Sequence, residues 1–389
     1  MPTTLLRALL MLLVVAMAAG GCRSVCTETA TGPYGVPGAA GLERAVRSVR
    51  VVHAGELHDD LAQHRFQLEL LRTMVDDARR DGGAPVLLGM EMFQRPYQAH
   101  LDDYVAGRID ECEMLRRTEY FTRWKFDHTY YAPLWQFARE HGVRVVALNA
   151  EASIVTAVRM GGIAKLTPEQ RAGIAAEIDL SVPAHRERTV GVLQRVHPMP
   201  EEAMQTWYEA MTTWDETMAE SAARALEAAG PRSRMLVVAG SQHVQEWTGI
   251  PDRITRRMPE VDSIVVVMRT EGRFDPAEKG RELGDFQVVL RPVAEQAPRR
   301  LGVGLAAAPE PQGLRVESVA EFTSAAVAGI AVDDIVTHVG GRPVTDIVDL
   351  RYVLERASIG DTLPVRLLRD GRPVVVQLTL HPPPPPPAG

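Results

Sequence analysis

Cysteine is scarce in this chain, with three residues in 389: Cys22, Cys26 and Cys112. So few thiols exclude a disulfide-built scaffold. Cationic excess is absent too: 43 Lys and Arg face 50 Asp and Glu, for a net charge of -7 and a pI of about 5.9. Without a basic footprint to meet a phosphate backbone, nucleic acid is excluded as a partner. The leading apolar stretch, Ala8 to Ala19, is too short to favour a membrane-spanning helix.

What is present is a soluble globular balance, 46% hydrophobic and 24% charged. The length suits two domains better than one core. The start, "MPTTLLRALLMLLVVAMAAGGC", has the three-part layout of a secretory signal: one charge at Arg7, an apolar stretch, then small residues. Ala19-Gly20-Gly21-Cys22 resembles a bacterial lipobox, with Ala19 where Leu is usual. That resemblance implies removal of residues 1–21, lipidation of Cys22 and a membrane anchor in the cell envelope. No Asp follows Cys22, which fits the outer membrane, facing the periplasm. Cys26 and Cys112 then remain and could pair. Residues 22–41, rich in Gly, Ala, Thr and Pro, read as a tether.

Beyond the tether, apolar runs alternate with helical stretches. "VRVVHA", "PVLLGM", "VRVVALN", "RMLVVAG" and "SIVVVM" read as strands, with "FQVVLRP" as an edge strand. Continuous apolar strands between helices predict an α/β domain over 42–295, a mostly parallel sheet covered on both faces. A largely helical insertion fills 165–230. Asp59 or Asp60 is placed to cap the first helix, and Gly142 to end the helix before the third strand.

In such sheets ligands sit beyond the carboxyl ends of the strands. Those ends deliver Glu56 and His58, Glu91, Asn149 and Glu151, and Ser241, Gln242 and His243. Two strands end in the same Gly-x-x-His, and Gly55 and Gly240 are expected to let the chain turn sharply there. Glu56, His58, Glu91 and His243 could hold a divalent metal. They could equally serve as general acid and base. His64 is expected to be solvated or core-facing. In the last helix of the insertion Met204, Tyr208, Met211, Asp215 and Met218 share one face. Asp215 is the odd member, and a buried acid needs a partner, which makes it a candidate for the site.

Five ordered segments, "GELHDDLAQHRFQLELL", "MEMFQRPYQ", "LNAEASIV", "WDETMAES" and "AGSQHVQEWTGIP", resemble the ChaN-like haem-binding uptake proteins of the Tiki superfamily over Arg44 to Pro292. The resemblance implies an envelope lipoprotein that binds haem, forms dimers and serves iron uptake. The wider superfamily, with two Gly-x-x-His motifs and a Glu, also includes metal-dependent proteases and hydrolases. Those motifs fall on Gly55 to His58, Gly240 to His243 and Glu91. Haem requires an axial ligand; Tyr208 is a candidate, with Asp215 and Asn149 as pocket residues, although Tyr208 also reads as core.

Residues 296–381 resemble a PDZ domain of bacterial periplasmic proteases, carried by "LGVGL" and "SAAVAGIAVDDIVTHVGGRPVTDIVDL". Ala325 stands where Pro is usual and Asp333 where Gly is usual. "RDGRP" reads as a hairpin turn. The resemblance implies capture of a protein C-terminal peptide at Gly302, Val303, Gly304 and Leu305. Residues 382–389 are an extended proline tail. The sequence thus leads to a haem-binding envelope protein with a peptide module. A metal-dependent hydrolase using Glu56, His58, Glu91 and His243 is the rival, and a non-catalytic scaffold the third reading.

Overall fold

A computed structural model describes residues 41–196, 200–273, 278, 280–294, 297, 299–308 and 312–382. The signal, lipobox and tether readings, Cys26 and the proline tail beyond residue 382 lie outside the described residues. No helix among those described is long and apolar enough to cross a membrane.

Apolar, largely β-branched runs form β1 (Val51–Glu56), β2 (Val86–Gln94), β3 (Arg144–Asn149), β4 (Arg234–Gly240), β5 (Ser263–Thr270) and β6 (Phe286–Leu290). They make one sheet in the order β3-β2-β4-β1-β5-β6, and every pairing is parallel. β1 and β4 lie side by side with Gly55 opposite Ala239 and Glu56 opposite Gly240. The two Gly-x-x-His strand ends are therefore neighbours in space.

On one face pack α1 (Leu42–Ser48), α2 (Leu61–Arg80), α3 (Gln98–Val105), α4 (Glu111–Arg117), α5 (Tyr120–Arg123) and α6 (His128–His141). Asp60 caps α2 by accepting from the Ala62 and Gln63 amides, and Gly142, at φ 66°, ends α6. After β3 come α7 (Ala152–Gly161), α8 (Pro168–Ala172), α9 (Pro183–Val196) and α10 (Glu201–Ala229), and after β4 comes α11 (Ile250–Arg257). α10 and α11 cover the second face through Met218, Leu226 and Ile254 against Val237 and Val265.

The second unit is antiparallel: β7 (Val303–Ala308), β8 (Gly313–Val319), β9 (Ile335–Val339), β10 (Arg342–Pro343), β11 (Thr362–Arg369) and β12 (Arg372–Thr379), with α12 (Ser324–Val327) and α13 (Ile347–Arg356). Its order is β12-β11-β9-β8-β7, with β10 on β9. Asp370 and Gly371 turn the last hairpin at φ 51° and 73°, as a two-residue turn of this type requires. Asp333 adopts φ 68°, so it keeps the left-handed turn that glycine ordinarily makes, in keeping with the tolerance of Asp for that region.

The two units are locked by charge. Arg116 reaches Asp346 at 2.9 Å and Asp349 at 2.6 Å. His128 Nδ1 meets Glu355 at 2.6 Å, and Glu111 accepts from Tyr352 and Arg356 at 3.0 and 2.9 Å. Cys112, with no disulfide partner among the described residues and 1% exposed, lies in this junction with Sγ 3.6 Å from Asp349. Burial pushes its thiol up to about 11. With Cys22 and Cys26 replaced by serine, we expect Cys112 to resist Ellman's reagent at pH 8 in the folded chain and to react on denaturation; prompt reaction without denaturant would contradict this packing.

Candidate functional site

The carboxyl end of the sheet holds a chain of buried carboxylates and imidazoles. Glu56, 1% exposed at the end of β1, accepts from Tyr131 Oη at 2.7 Å, from Gln67 Nε2 at 2.6 Å and meets His58 Nδ1 at 2.9 Å. Its second oxygen is also 3.3 Å from His64 Nδ1. Burial would push the Glu56 pKa up; the positive charge of His64 and the hydrogen bond from His58 outweigh it and hold the carboxyl well below the usual range.

Glu91 stands one residue past Met90, the last β2 residue paired with β4. One of its oxygens accepts the Gly240 amide at 2.7 Å, and the other is 3.4 Å from His243 Nε2. His243 Nδ1 bonds Asp215 at 2.6 Å, and the far oxygen of Asp215 meets His185 Nε2 at 2.8 Å. Arg253 lies 3.2 Å from His185 Nδ1. A guanidinium only donates, so His185 accepts there and donates from Nε2 to Asp215. Burial favours that neutral form and lowers the His185 pKa against the pull of Asp215.

His243 is the opposite case. Burial lowers its pKa, but the negative charges of Glu91 and Asp215 dominate and raise it to about 10. With an ordinary value of about 6.5 in the unfolded chain, this imidazolium contributes stability that is fully present below that value. The contribution is lost as pH rises through 10. We therefore expect the His243 ring to stay doubly protonated at pH 8.5 by ¹⁵N NMR; a neutral ring there would contradict the paired-carboxylate geometry.

The repeated glycines have a steric role. Neither Gly55 nor Gly240 has positive φ, which corrects the expectation of a sharp turn. An added Cβ on Gly55 would lie 2.5 Å from Val244 Cγ2 and 3.2 Å from Ser241 Cα. One on Gly240 would lie 2.9 Å from His58 Cε1. Each motif's glycine makes room for the other motif's side chains or backbone. The motif recurs because the two copies pack against each other.

His58 lines the cleft with one ring nitrogen left unbonded. Its Nδ1 is held by Glu56, and among the described residues Nε2 has no hydrogen bond. Trp124 and Phe126 pack against its ring with centroids at 4.7 and 5.2 Å. The cleft, about 420 Å³, is lined by Glu56, His58, Gly240, His243, Met268 and Arg269, among others.

The other expected site residues lie elsewhere. Tyr208 is fully buried, its hydroxyl directed at the Leu180 and Val182 carbonyls at 3.3 and 3.5 Å and at His185 Nδ1 at 3.4 Å. It is core, not a cleft-facing axial ligand. Asp215 is a member of the network but sits behind His243, fully buried. Asn149 donates to the Glu91 carbonyl at 3.1 Å and supports that strand end rather than lining the cleft. As a metal set, Glu56, His58, Glu91 and His243 do not converge. Among the described residues the one group with three ligand atoms within 4.8 Å is Asp127, His128 and Glu355, which belongs to the inter-unit ion pairs. His64, expected in solvent or core, is a buried partner of Glu56. His185, Gln67 and Tyr131 were not singled out from sequence, because neither strand ends nor a broken apolar stripe mark them.

A parallel α/β sheet with paired Gly-x-x-His strand ends and a docked antiparallel β domain defines the class. The chain belongs to the family described as haem-binding uptake, Tiki superfamily, ChaN, whose model matches residues 42–254; a PDZ domain model matches 296–380. A solved structure titled as cofacial haem binding to ChaN of Campylobacter jejuni superposes with TM-score 0.51 at 17% identity, covering 64% of this chain and 90% of that one; this shows the shared fold. Protein RETICULATA-RELATED 5, chloroplastic, of Arabidopsis thaliana is 25% identical over 255 residues, 61% of this chain but 34% of that protein. The periplasmic serine endoprotease DegP of Escherichia coli is 38% identical over 70 residues, 18% of this chain and 15% of DegP. The chain thus spans a minor part of both of these relatives.

Proposed function

We propose that this chain is an envelope-anchored protein that binds haem in the strand-end cleft, with His58 as the iron ligand, and recruits a protein partner through its PDZ domain. The observation that carries it is the setting of His58. Its Nδ1 is tied to the buried Glu56, Nε2 has no hydrogen bond among the described residues, and the residue lines the cleft; a carboxylate on one ring nitrogen is how the tautomer and orientation of metal-ligating histidines are fixed. Coordination takes Nε2 in its unprotonated form, so where the ring is charged a proton must leave that nitrogen first. Trp124 and Phe126 offer aromatic surface beside it, and the cleft volume of about 420 Å³ lies within the usual range for cofactor sites. Bound haem would bring to Nε2 an iron with an open coordination position. Glu56, held by Tyr131 and Gln67, keeps the imidazole aimed; Gly240 leaves space for it.

Anchoring through Cys22 rests on the lipobox-like start. Peptide binding rests on the PDZ membership of 296–380 and on Gly302, whose φ of 80° and contact with Thr323 leave no space for a side chain. A hydrolase using the same histidines has less support, since its four ligand candidates do not converge on one point. The test is absorbance on adding haem to the full chain. A saturable Soret shift at micromolar haem is expected, and none at that concentration would overturn the proposal.

A further inference from the structure

A cavity of about 930 Å³ lies along the PDZ groove, between β7 and α13, and its walls come from both units. One side is the Leu301 to Leu305 segment leading into β7; the floor is Leu350 and Leu354 of α13. β7 is the last strand of its sheet, so its outer edge is unpaired and can accept an added strand. The opposite side is Lys125, Phe126 and Tyr130 of the N-terminal unit. That side is fixed in place: Arg299 bonds Asp127 and the Glu355 carbonyl, and Arg351 donates to the Phe121 carbonyl at 3.2 Å.

The charges lining the groove decide its chemistry. Asp59 is paired with Arg273 at 2.8 Å, Asp127 with Arg299, and Glu355 with both His128 and Arg351 at 2.6 Å. The acids are neutralised. Lys125 and Arg300, both exposed, have no partner among the described residues. The uncompensated charge of the groove is therefore positive.

We propose that Lys125 and Phe126 form a third wall of the peptide groove, which selects protein C-termini with an apolar last residue and acidic residues just upstream. This rests on the peptide-binding reading of the PDZ domain and adds to it that the N-terminal unit chooses the ligand. Apolar Leu301, Leu350 and Leu354 take the terminal side chain. Lys125 attracts the acidic residues, and Phe126, whose other side touches His58, bounds the peptide.

The test is selection of decapeptides with free C-termini and six randomised terminal positions on the full chain, compared with Lys125→Glu. Wild type is expected to enrich apolar C-termini with Asp or Glu upstream. Lys125→Glu should bind a selected acidic peptide about fivefold more weakly and its Lys-exchanged counterpart more tightly. That gain also shows that the variant is folded. Equal acid preference in both chains would overturn the third wall while leaving PDZ binding intact. Failure of wild type to enrich any free C-terminus would overturn the peptide-binding reading itself, and this proposal with it.

Discussion

Replacing Asp215 with alanine is expected to destabilise the N-terminal unit by about 3–5 kcal/mol, read from urea unfolding. Asp215 is fully buried and holds two imidazoles, His243 at 2.6 Å and His185 at 2.8 Å. Burial alone would raise its pKa; the His243 charge and the hydrogen bonds from His185 and His243 hold it far below the carboxylate range. Removing it leaves the His243 imidazolium with Glu91 alone and strips His185 Nε2–H of its acceptor. An unpaired buried donor loses its hydration without return. Asp215→Ala and His243→Ala should be strongly non-additive, because each already breaks the same pair. A loss below about 1 kcal/mol, the scale of an exposed pair, would show that the network is not the buried one described.

Gly55→Val gives the second large effect, and its sign separates two accounts. Judged as a strand residue, Gly55 should gain from the change, since valine is favoured in strands and glycine weakens them. Judged by its neighbours it should lose, because even a Cβ meets Val244 at 2.5 Å and the Ser241 backbone at 3.2 Å. Overpacking of this kind costs about 1–3 kcal/mol, and the branched side chain, stopped partly by backbone, should reach the upper end. A more stable variant in the same urea assay would mean that the two Gly-x-x-His segments do not pack as described.

The sheet was readable because parallel strands buried on both faces are continuous apolar runs, and five such runs stand clear of their helices. Their ends shifted: the Val49–Ala54 reading became Val51–Glu56, and β2 runs on to Gln94. Glu56, His58, Glu91 and His243 were legible because polar residues directly follow apolar strands. Asp215 was legible because it breaks an apolar helix face. Tyr208 misled for the complementary reason: a tyrosine on that face has the same spacing whether its hydroxyl meets a ligand or the carbonyls of Leu180 and Val182. His185 belongs to neither pattern. The docking of α13 on α4 and α6 was not legible, since it rests on pairs such as Arg116–Asp349 and His128–Glu355 whose members look like ordinary surface charges. Only the fold puts Lys125 on the rim of a groove belonging to the other domain.

The central claim is that the two strand ends make one haem cleft with His58 at its mouth. It is tested most directly by titrating the full chain and His58→Ala with haem in parallel, following the Soret band. Second-shell changes alone typically weaken metal sites about 10–100-fold, so loss of the ligand itself should weaken binding by about a hundredfold or more. The His58→Ala chain should also lose some stability in urea, since Glu56 loses a donor and Trp124 and Phe126 lose a ring contact, so the two titrations are compared without urea, where circular dichroism shows both chains folded. Superimposable haem titrations of the two chains would contradict the account.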